Sequence, residues 1–241
     1  MGPDGITSFS IVQLASDSGN AAARVFFLFY LLRLDGDDFR QRPLIERKDR
    51  LATLLANTPS PLHYSDHQLG HGRAFFKKAC AMSLEGIVSK RADAADAPGN
   101  RRLWRKAKCL HREKFVVVGW TDPEGARPFL GALLLGCYNA HGHLLFAGRV
   151  GSGINPAELQ RLSRKLQPLA TDTMPLAAPP PRNSRFGSPL ELSRVHWVTP
   201  ELVVEVKYLA WTGDNLLRQV VYEGLREDKP AAEVRRPRPR R

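Results

Sequence analysis

Lys106 and Lys108 stand two residues apart in the run Trp104-Arg105-Lys106-Ala107-Lys108. On a strand, the period of two places both lysines on one face, with Arg105 and Ala107 on the other. Two converging ammonium groups suit a phosphate whose charge grows or moves in a reaction, because each lysine is a compact point charge. A solvated strand face carries the same pattern and is the commoner occurrence. Glu85 opens a second strand-like run, Glu85-Gly86-Ile87-Val88-Ser89-Lys90-Arg91, in which Gly86 permits close backbone approach. Magnesium takes one or two carboxylates plus phosphate oxygens, so an acid near a lysine pair is a sensible metal-nucleotide arrangement; alone, Glu85 reads as a surface acid. A third group, Arg218 followed by Gly224-Leu225-Arg226-Glu227-Asp228-Lys229-Pro230, alternates charge as an ordinary salt-bridged loop also does.

The elements that must position these groups follow from hydrophobic periodicity. Gly2-Pro3-Asp4-Gly5 reads as a tight turn with a strand leaving it at Ile6. The unbroken apolar run at residues 25–32 predicts a buried strand, closed by the turn Leu34-Asp35-Gly36, and Pro43 opens a helix to about Ala56. A second helix is expected over 73–83, then strands over 85–90 and 103–108. After about Leu110 the texture changes to short β segments at 114–120, 130–138 and 143–150. Asn155-Pro156-Ala157-Glu158 supplies an N-cap, a proline at the first helical position and a capping-box acid, so a helix should run to about Leu166. One helix among barrel strands is an OB-fold pattern. The proline-rich stretch 175–189 reads as an exposed loop, and 196–211 as a return to strand.

The 241 residues carry 36 Lys plus Arg against 24 Asp plus Glu, a formal charge of +12 that favours a polyanionic partner, nucleic acid first. Generally basic composition is the bland alternative. Cys80, Cys109 and Cys137 are odd in number and widely spaced, which argues against a disulfide framework and a cysteine zinc site and fits a reducing cytoplasm. No apolar run approaches the roughly 20 residues of a membrane span. The tail from Arg235 holds five arginines, Arg235, Arg236, Arg238, Arg240 and Arg241, and no residue to bury; it is expected to be disordered, as a solvated end or a phosphate-binding arm. His63, His67 and His71 recur every four residues, but Pro61, Gly70 and Gly72 break any helix that would align them on a metal. Trp120, Trp197 and Trp211 read as barrel core rather than base-stacking platforms.

Taken together, the clusters resemble the covalent nucleotidyltransferases, and most closely the ATP-dependent DNA ligase module of bacterial ligase D. Residues 29–36 resemble the family's motif III, 85–91 motif IV, 104–108 motif V and 218–230 motif VI, in matching order and spacing. The strings Glu-Gly-Ile-Val-Ser-Lys-Arg and Gly-Leu-Arg-Glu-Asp-Lys-Pro point to the ligase D branch. The resemblance implies an α+β chain: a partial adenylation (nucleotidyltransferase, ATP-grasp-like) domain over 1–110, an OB-fold domain over 111–234, and a tail over 235–241. It implies that Phe29 stacks on adenine, that Glu85 helps bind Mg2+ or Mn2+, and that Lys106 and Lys108 contact the α-phosphate of ATP. Arg226, Asp228 and Lys229 would close over ATP and orient the pyrophosphate, with Arg218 also at the nucleotide, and Lys90, Arg91 and the tail arginines at DNA. The implied function is sealing of nicked duplex DNA in repair and end joining by a cytoplasmic, nucleoid-associated bacterial monomer with end-joining partners and no membrane.

Two departures stand against this pattern. The family's nucleophile lies in a Lys-x-Asp-Gly motif upstream of motif III, and no lysine in this chain is followed by x-Asp-Gly. Tyr30 follows Phe29 where the family usually has aspartate, and a neutral phenol is no carboxylate. With the opening turn, these read as a truncated or mis-started copy of a longer gene, or a decayed one, and make self-adenylation doubtful. A non-catalytic DNA-binding fragment is the rival reading, and an RNA-capping guanylyltransferase of the same superfamily a weaker one.

Overall fold

The computed structural model describes residues 25–59, 61–82, 84–99, 102–123, 125–181 and 190–236. The chain is α+β and divides into two compact units, Met1–Cys109 and Leu110–Arg241. The expected turn at 2–5 with its strand from Ile6 and the arginines at 238, 240 and 241 lie outside the described residues. Among the described residues no helix is long and apolar enough to cross a membrane.

In the first unit, β1 (Phe26–Leu28) runs parallel to β4 (Leu62–Tyr64). Between them, β2 (Arg33–Leu34) and β3 (Asp37–Asp38) form a hairpin turning at Asp35 and Gly36, both at positive φ, as a tight two-residue turn requires. Helix α1 (Leu44–Leu55) follows, with Leu44, Arg47, Lys48 and Leu51 on its buried stripe. Leu31, Phe39 and Leu51 make the small core, with Leu28, Leu34, Leu55 and Tyr64 packed against it. The long buried strand expected over 25–32 is therefore corrected. Only three of its residues pair, and Phe26, Phe27 and Phe29 remain 53%, 43% and 53% exposed. A two-stranded pair with one described neighbour buries Leu31 and partly covers Leu28, while Phe27 gains only the His63 ring at 5.7 Å and stays largely exposed.

Helix α2 (Gly72–Ala81) leads to β5 (Gly86–Lys90) and β6 (Trp104–Lys108), which pair antiparallel with Val88 opposite Lys106 and Gly86 opposite Lys108. The cysteine reading is also corrected, because Cys80 at the end of α2 is disulfide-bonded to Cys109 just beyond β6. Their sequence separation of 29 conceals a proximity created by packing of α2 beside the hairpin. Cys137 is free and buried, and burial pushes its thiol up to about 11.

The second unit is built on β7 (His111–Thr121), flanked by β8 (Leu133–Tyr138), β11 (Val195–Val198) and β12 (Val203–Tyr208). The seven-stranded antiparallel sheet is completed by β9 (Leu144–Val150) on β8, β10 (Ala170–Thr171) on β11 and β15 (Val221–Leu225) on β12. A small hairpin of β13 (Ala210–Trp211) and β14 (Leu217–Arg218) stands off it. The strand expected over 196–211 is three strands, interrupted by the Thr199–Leu202 connection and again at Leu209. Helix α3 (Pro156–Leu166) is capped as its sequence requires, the Asn155 side chain accepting the Glu158 N–H at 2.9 Å. It contributes Leu159, Leu162 and Leu166 to the same buried core cluster as Phe115, Val117, Leu133 and Leu135. Trp120, Trp197 and Trp211 all pack on this core. The loop expected at 175–189 is not wholly exposed, since Leu176 is buried. Nor is the tail disordered from its first residue: Arg235 bridges to Tyr138, and the Arg236 N–H donates to the Tyr138 carbonyl at 3.0 Å.

Closing a loop of this size with a disulfide stabilises by about 3 kcal/mol through the unfolded state. Reduction, or Cys109→Ser, is therefore expected to speed amide exchange across β5 and β6 by a free energy of that order. Cys109→Ser protein should then be insensitive to dithiothreitol. Equal exchange in oxidised and reduced wild-type protein would show that the bond constrains nothing in the hairpin.

Candidate active site

The hairpin of β5 and β6 carries Lys106 and Lys108 on the face they share with Trp104, and across the ladder with Gly86, Val88 and Lys90. Gly86 is indispensable to this pairing. It sits at φ +152°, and a Cβ there would lie 2.1 Å from the Ala107 carbonyl oxygen and 2.9 Å from the Lys108 Cα. Any side chain would push β5 off β6 and carry the second lysine away from its partner strand. Glu85, exposed, precedes β5, and its carbonyl accepts the Cys109 N–H at 2.9 Å, which holds the acid's backbone one residue from Lys108. Val88, 47% exposed, adds apolar surface opposite Lys106.

Phe29 stands at the end of β1 with its ring half exposed. Lys90 Nζ lies 4.8 Å from the Phe29 ring centroid, 4.9 Å from that of Tyr30 and 4.2 Å from that of Trp104. Lys90, expected at DNA, thus has its ammonium gathered among three aromatic faces. Burial pushes its pKa down, and the charges of Lys48 and Arg47 push it the same way. Arg91 is exposed and paired with Asp93 at 2.7 Å. Tyr30, in the aspartate's place, meets Trp104 edge to face at 5.8 Å and lies under the Arg47 guanidinium; burial raises its pKa and keeps it neutral.

Two residues that the sequence reading passed over hold this segment in place. Lys48, 8% exposed, donates from Nζ to the Phe29 carbonyl at 2.9 Å and to the Ser65 carbonyl at 3.0 Å. Burial lowers its pKa. Arg47, 3% exposed, donates to the Arg42 and Ala94 carbonyls. The signal was present in the sequence: Leu44, Arg47, Lys48 and Leu51 fall at i, i+3, i+4 and i+7, so two cations occupy the apolar stripe of an amphipathic helix.

In the second unit, Arg226 Nε and Nη2 engage both oxygens of Asp228 at 2.9 and 2.8 Å, and its Nη1 lies 3.3 Å from Glu205. Glu205, another residue missed, also accepts from Arg112 at 2.8 Å. Burial works to raise the Glu205 carboxyl, but Arg112 and Arg226 outweigh it and hold it below its ordinary value. Lys229 is not gathered with Arg226; it pairs with Glu233. Arg218 lies in β14, paired with Ala210. Arg235 stacks on Tyr138 at 5.4 Å and Arg236 on Trp211 at 4.9 Å, Arg236 also donating to Asn215 at 2.6 Å.

The arrangement matches known proteins along most of its length. The family model described as "ATP dependent DNA ligase domain" matches residues 11–108, and that described as "ATP dependent DNA ligase C terminal region" matches residues 126–229. The chain belongs to the ATP-dependent DNA ligase family. It is 38% identical over 239 residues to the multifunctional non-homologous end joining protein LigD of Pseudomonas aeruginosa, covering 98% of this chain and 28% of that protein. Against the ligase domain of LigD from M. tuberculosis, a solved structure, it is 35% identical over 98% of this chain and 73% of that one, with a TM-score of 0.48. A Lig E DNA ligase structure, 15% identical, shares the fold over 84% of this chain and 63% of that one at a TM-score of 0.54. The chain therefore spans a little over a quarter of the Pseudomonas LigD it matches. Its two-domain plan, adenylation domain and OB-fold, follows from the family.

Asp228 is held down to about 2, chiefly by the hydrogen bonds from Arg226. Carboxylate titration by NMR in wild-type protein should show that low midpoint, and in Arg226→Met a return toward the ordinary value of about 3.9. An unchanged midpoint in the variant would mean that the pair does not form in solution.

Proposed function

We propose that the chain acts in ATP-dependent sealing of nicked duplex DNA, as the ligase portion of a bacterial end-joining protein. The observation that carries this reading is the Gly86-dependent hairpin that presents Lys106 and Lys108 together on one face, with exposed Val88 opposite. ATP would lie with its base on the free side of Phe29 and its α-phosphate at the lysine pair. The two ammonium groups would stabilise negative charge as it grows at that phosphate. Arg226 and Asp228, with Lys229 and Arg218 nearby in sequence, would address the leaving pyrophosphate when the second unit closes, Arg226 exchanging its carboxylate partners for phosphate oxygens.

A divalent ion fits the donor set if it is shared with the nucleotide. Among the described residues there is no cluster of three or more His, Cys, Asp or Glu to cage a metal. One exposed carboxylate, Glu85, suits Mg2+ or Mn2+, which complete their shells with phosphate oxygens and water. Such an ion would neutralise phosphate charge. Nicked DNA is the substrate that the +12 charge favours, bound mainly through phosphates, with Arg91 and the arginine tail as contacts. End-joining proteins are the proposed partners of a monomer working in the bacterial cytoplasm at the nucleoid.

No lysine in the 241 residues stands in a Lys-x-Asp-Gly motif. Incubated with radiolabelled ATP and magnesium, the chain is therefore expected to acquire no covalent AMP, since phosphoramidate formation needs a neutral amine in line with the α-phosphate. Pre-adenylated nicked duplex bypasses that step. On it, any sealing should fall on the order of 10²-fold with Lys106→Ala or Lys108→Ala. Stoichiometric acid-labile AMP on the chain would overturn the first expectation. Unchanged sealing after both substitutions would reduce the lysine pair to a solvated strand face, and failure to bind nicked duplex at all would end the reading.

A further inference from the structure

Lys90 closes β5, and its partner across the ladder is Trp104 at the start of β6. Both side chains lie on the hairpin face that carries Val88, Lys106 and Lys108, at the end away from Lys108. There the Lys90 ammonium meets three rings, with centroids at 4.2 Å for Trp104, 4.8 Å for Phe29 and 4.9 Å for Tyr30. Burial, then the charges of Lys48 and Arg47, work against its charged form. What holds an ammonium in such a place is the attraction of the ring faces. That attraction is mutual, so a cation over the Phe29 ring also fixes where the ring stands. Tyr30, where the family usually has aspartate, supplies one of the three faces. Phe29 is 53% exposed, which leaves its ring open to a planar ligand on the side away from Lys90.

We propose that Lys90 is a positioning residue for the nucleotide base: its ammonium, drawn to Phe29, Tyr30 and Trp104 together, sets the Phe29 ring where adenine stacks on it. The proposal rests on the reading above in which Phe29 takes the base of ATP. Lys90 itself touches neither base nor phosphate, and it serves the nucleotide rather than DNA. The rings come from two places in the chain, the segment after β1 and the start of β6, and they meet at one Nζ. Trp104 and Lys106 alternate on the same strand face, so the cation links the ring that takes the base to the strand that presents the phosphate contacts. Methionine in its place keeps a long apolar stem and loses the charge, whereas arginine keeps the charge and stacks on aromatic faces.

The test titrates the whole chain with ATP and, separately, with inorganic triphosphate, which carries phosphates without a base. Lys90→Met is expected to weaken ATP on the order of fivefold, the size of a partly desolvated cation–π contact, and to leave triphosphate unchanged. Lys90→Arg should keep ATP binding near that of the wild type. In a Phe29→Ala background Lys90→Met should cost nothing further, since the ring through which it acts is gone. The slope of log K against log salt for nicked duplex should not change in Lys90→Met. In the free chain, ring currents should move the Lys90 ε-methylene protons upfield of an ordinary lysine, and Trp104→Ala should move them back. Ordinary shifts in the wild type overturn the cage. Equal weakening of ATP and triphosphate, no loss of ATP, or a loss that arginine does not repair overturns the positioning role. So does a gain in ATP affinity, which would mean that the ammonium occupies the place of the base. A duplex slope lower by about one in Lys90→Met returns the residue to DNA. If the wild-type chain binds ATP no better than triphosphate, or Phe29→Ala binds it as well, with the upfield shifts intact, the fault lies in the reading that Phe29 takes the base and not in the cage.

Discussion

Lys48 Nζ lies within hydrogen-bonding distance of two backbone carbonyls, those of Phe29 and Ser65, and is almost wholly removed from water. An ammonium group in that position is tolerated only if its protons are taken up, and here carbonyls rather than a carboxylate do so. The bond to Phe29 fixes the end of β1, and that to Ser65 fixes the residue just beyond β4; the Ser65 N–H in turn reaches the Leu28 carbonyl. One buried cation therefore ties helix α1 to both strands of the small parallel sheet. The position of the Phe29 ring, and with it any base that stacks there, depends on this satisfaction of charge by backbone.

The same unit gathers three cations, Arg47, Lys48 and Lys90, against backbone carbonyls and aromatic rings. Burial and then the charges of Lys48 and Arg47 push the Lys90 pKa down, and aromatic faces of Tyr30, Tyr64, Phe29 and Trp104 stand where carboxylates stand in most ion pairs. Ring faces attract a cation without neutralising it, so the electrostatic field of the site stays positive toward an incoming anion. In the second unit the opposite device is used: Arg226 is fully engaged by Asp228 and Glu205, and Arg112 and Lys207 share Glu205 and Glu223. The first unit's buried cations meet carbonyls and rings, whereas the second unit's Arg226 is held by carboxylates.

Much of this was legible from residue order. The Asn155-Pro156-Ala157-Glu158 signal determines where α3 starts, because the cap satisfies its own helix within four residues. The alternation in 104–108 determines which face the lysines share, and the motifs carried the family through their order, spacing and residue strings. Local chemistry suffices for such features, since the atoms that decide them are neighbours in the chain. The stripe of Leu44, Arg47, Lys48 and Leu51 was equally visible as a period, but its meaning was not, because nothing in α1 says which carbonyls will meet the cations.

Tertiary structure decided the rest. The run at 25–32 has the composition of a buried strand, yet burial depends on how many strands and helices arrive beside it, and Phe26, Phe27 and Phe29 stay exposed. Cys80 and Cys109 became a disulfide because α2 packs next to the end of β6, a proximity that a separation of 29 residues does not encode. Arg226 found Glu205 across two strands, and Arg235 and Arg236 found aromatic rings where the chain order shows only a polar tail. The sequence by itself determined what is settled by neighbours: caps, strand faces, motif order and charge. Pairings between distant segments, and the desolvation that gives a buried cation its partners, were settled only when the fold brought those segments together.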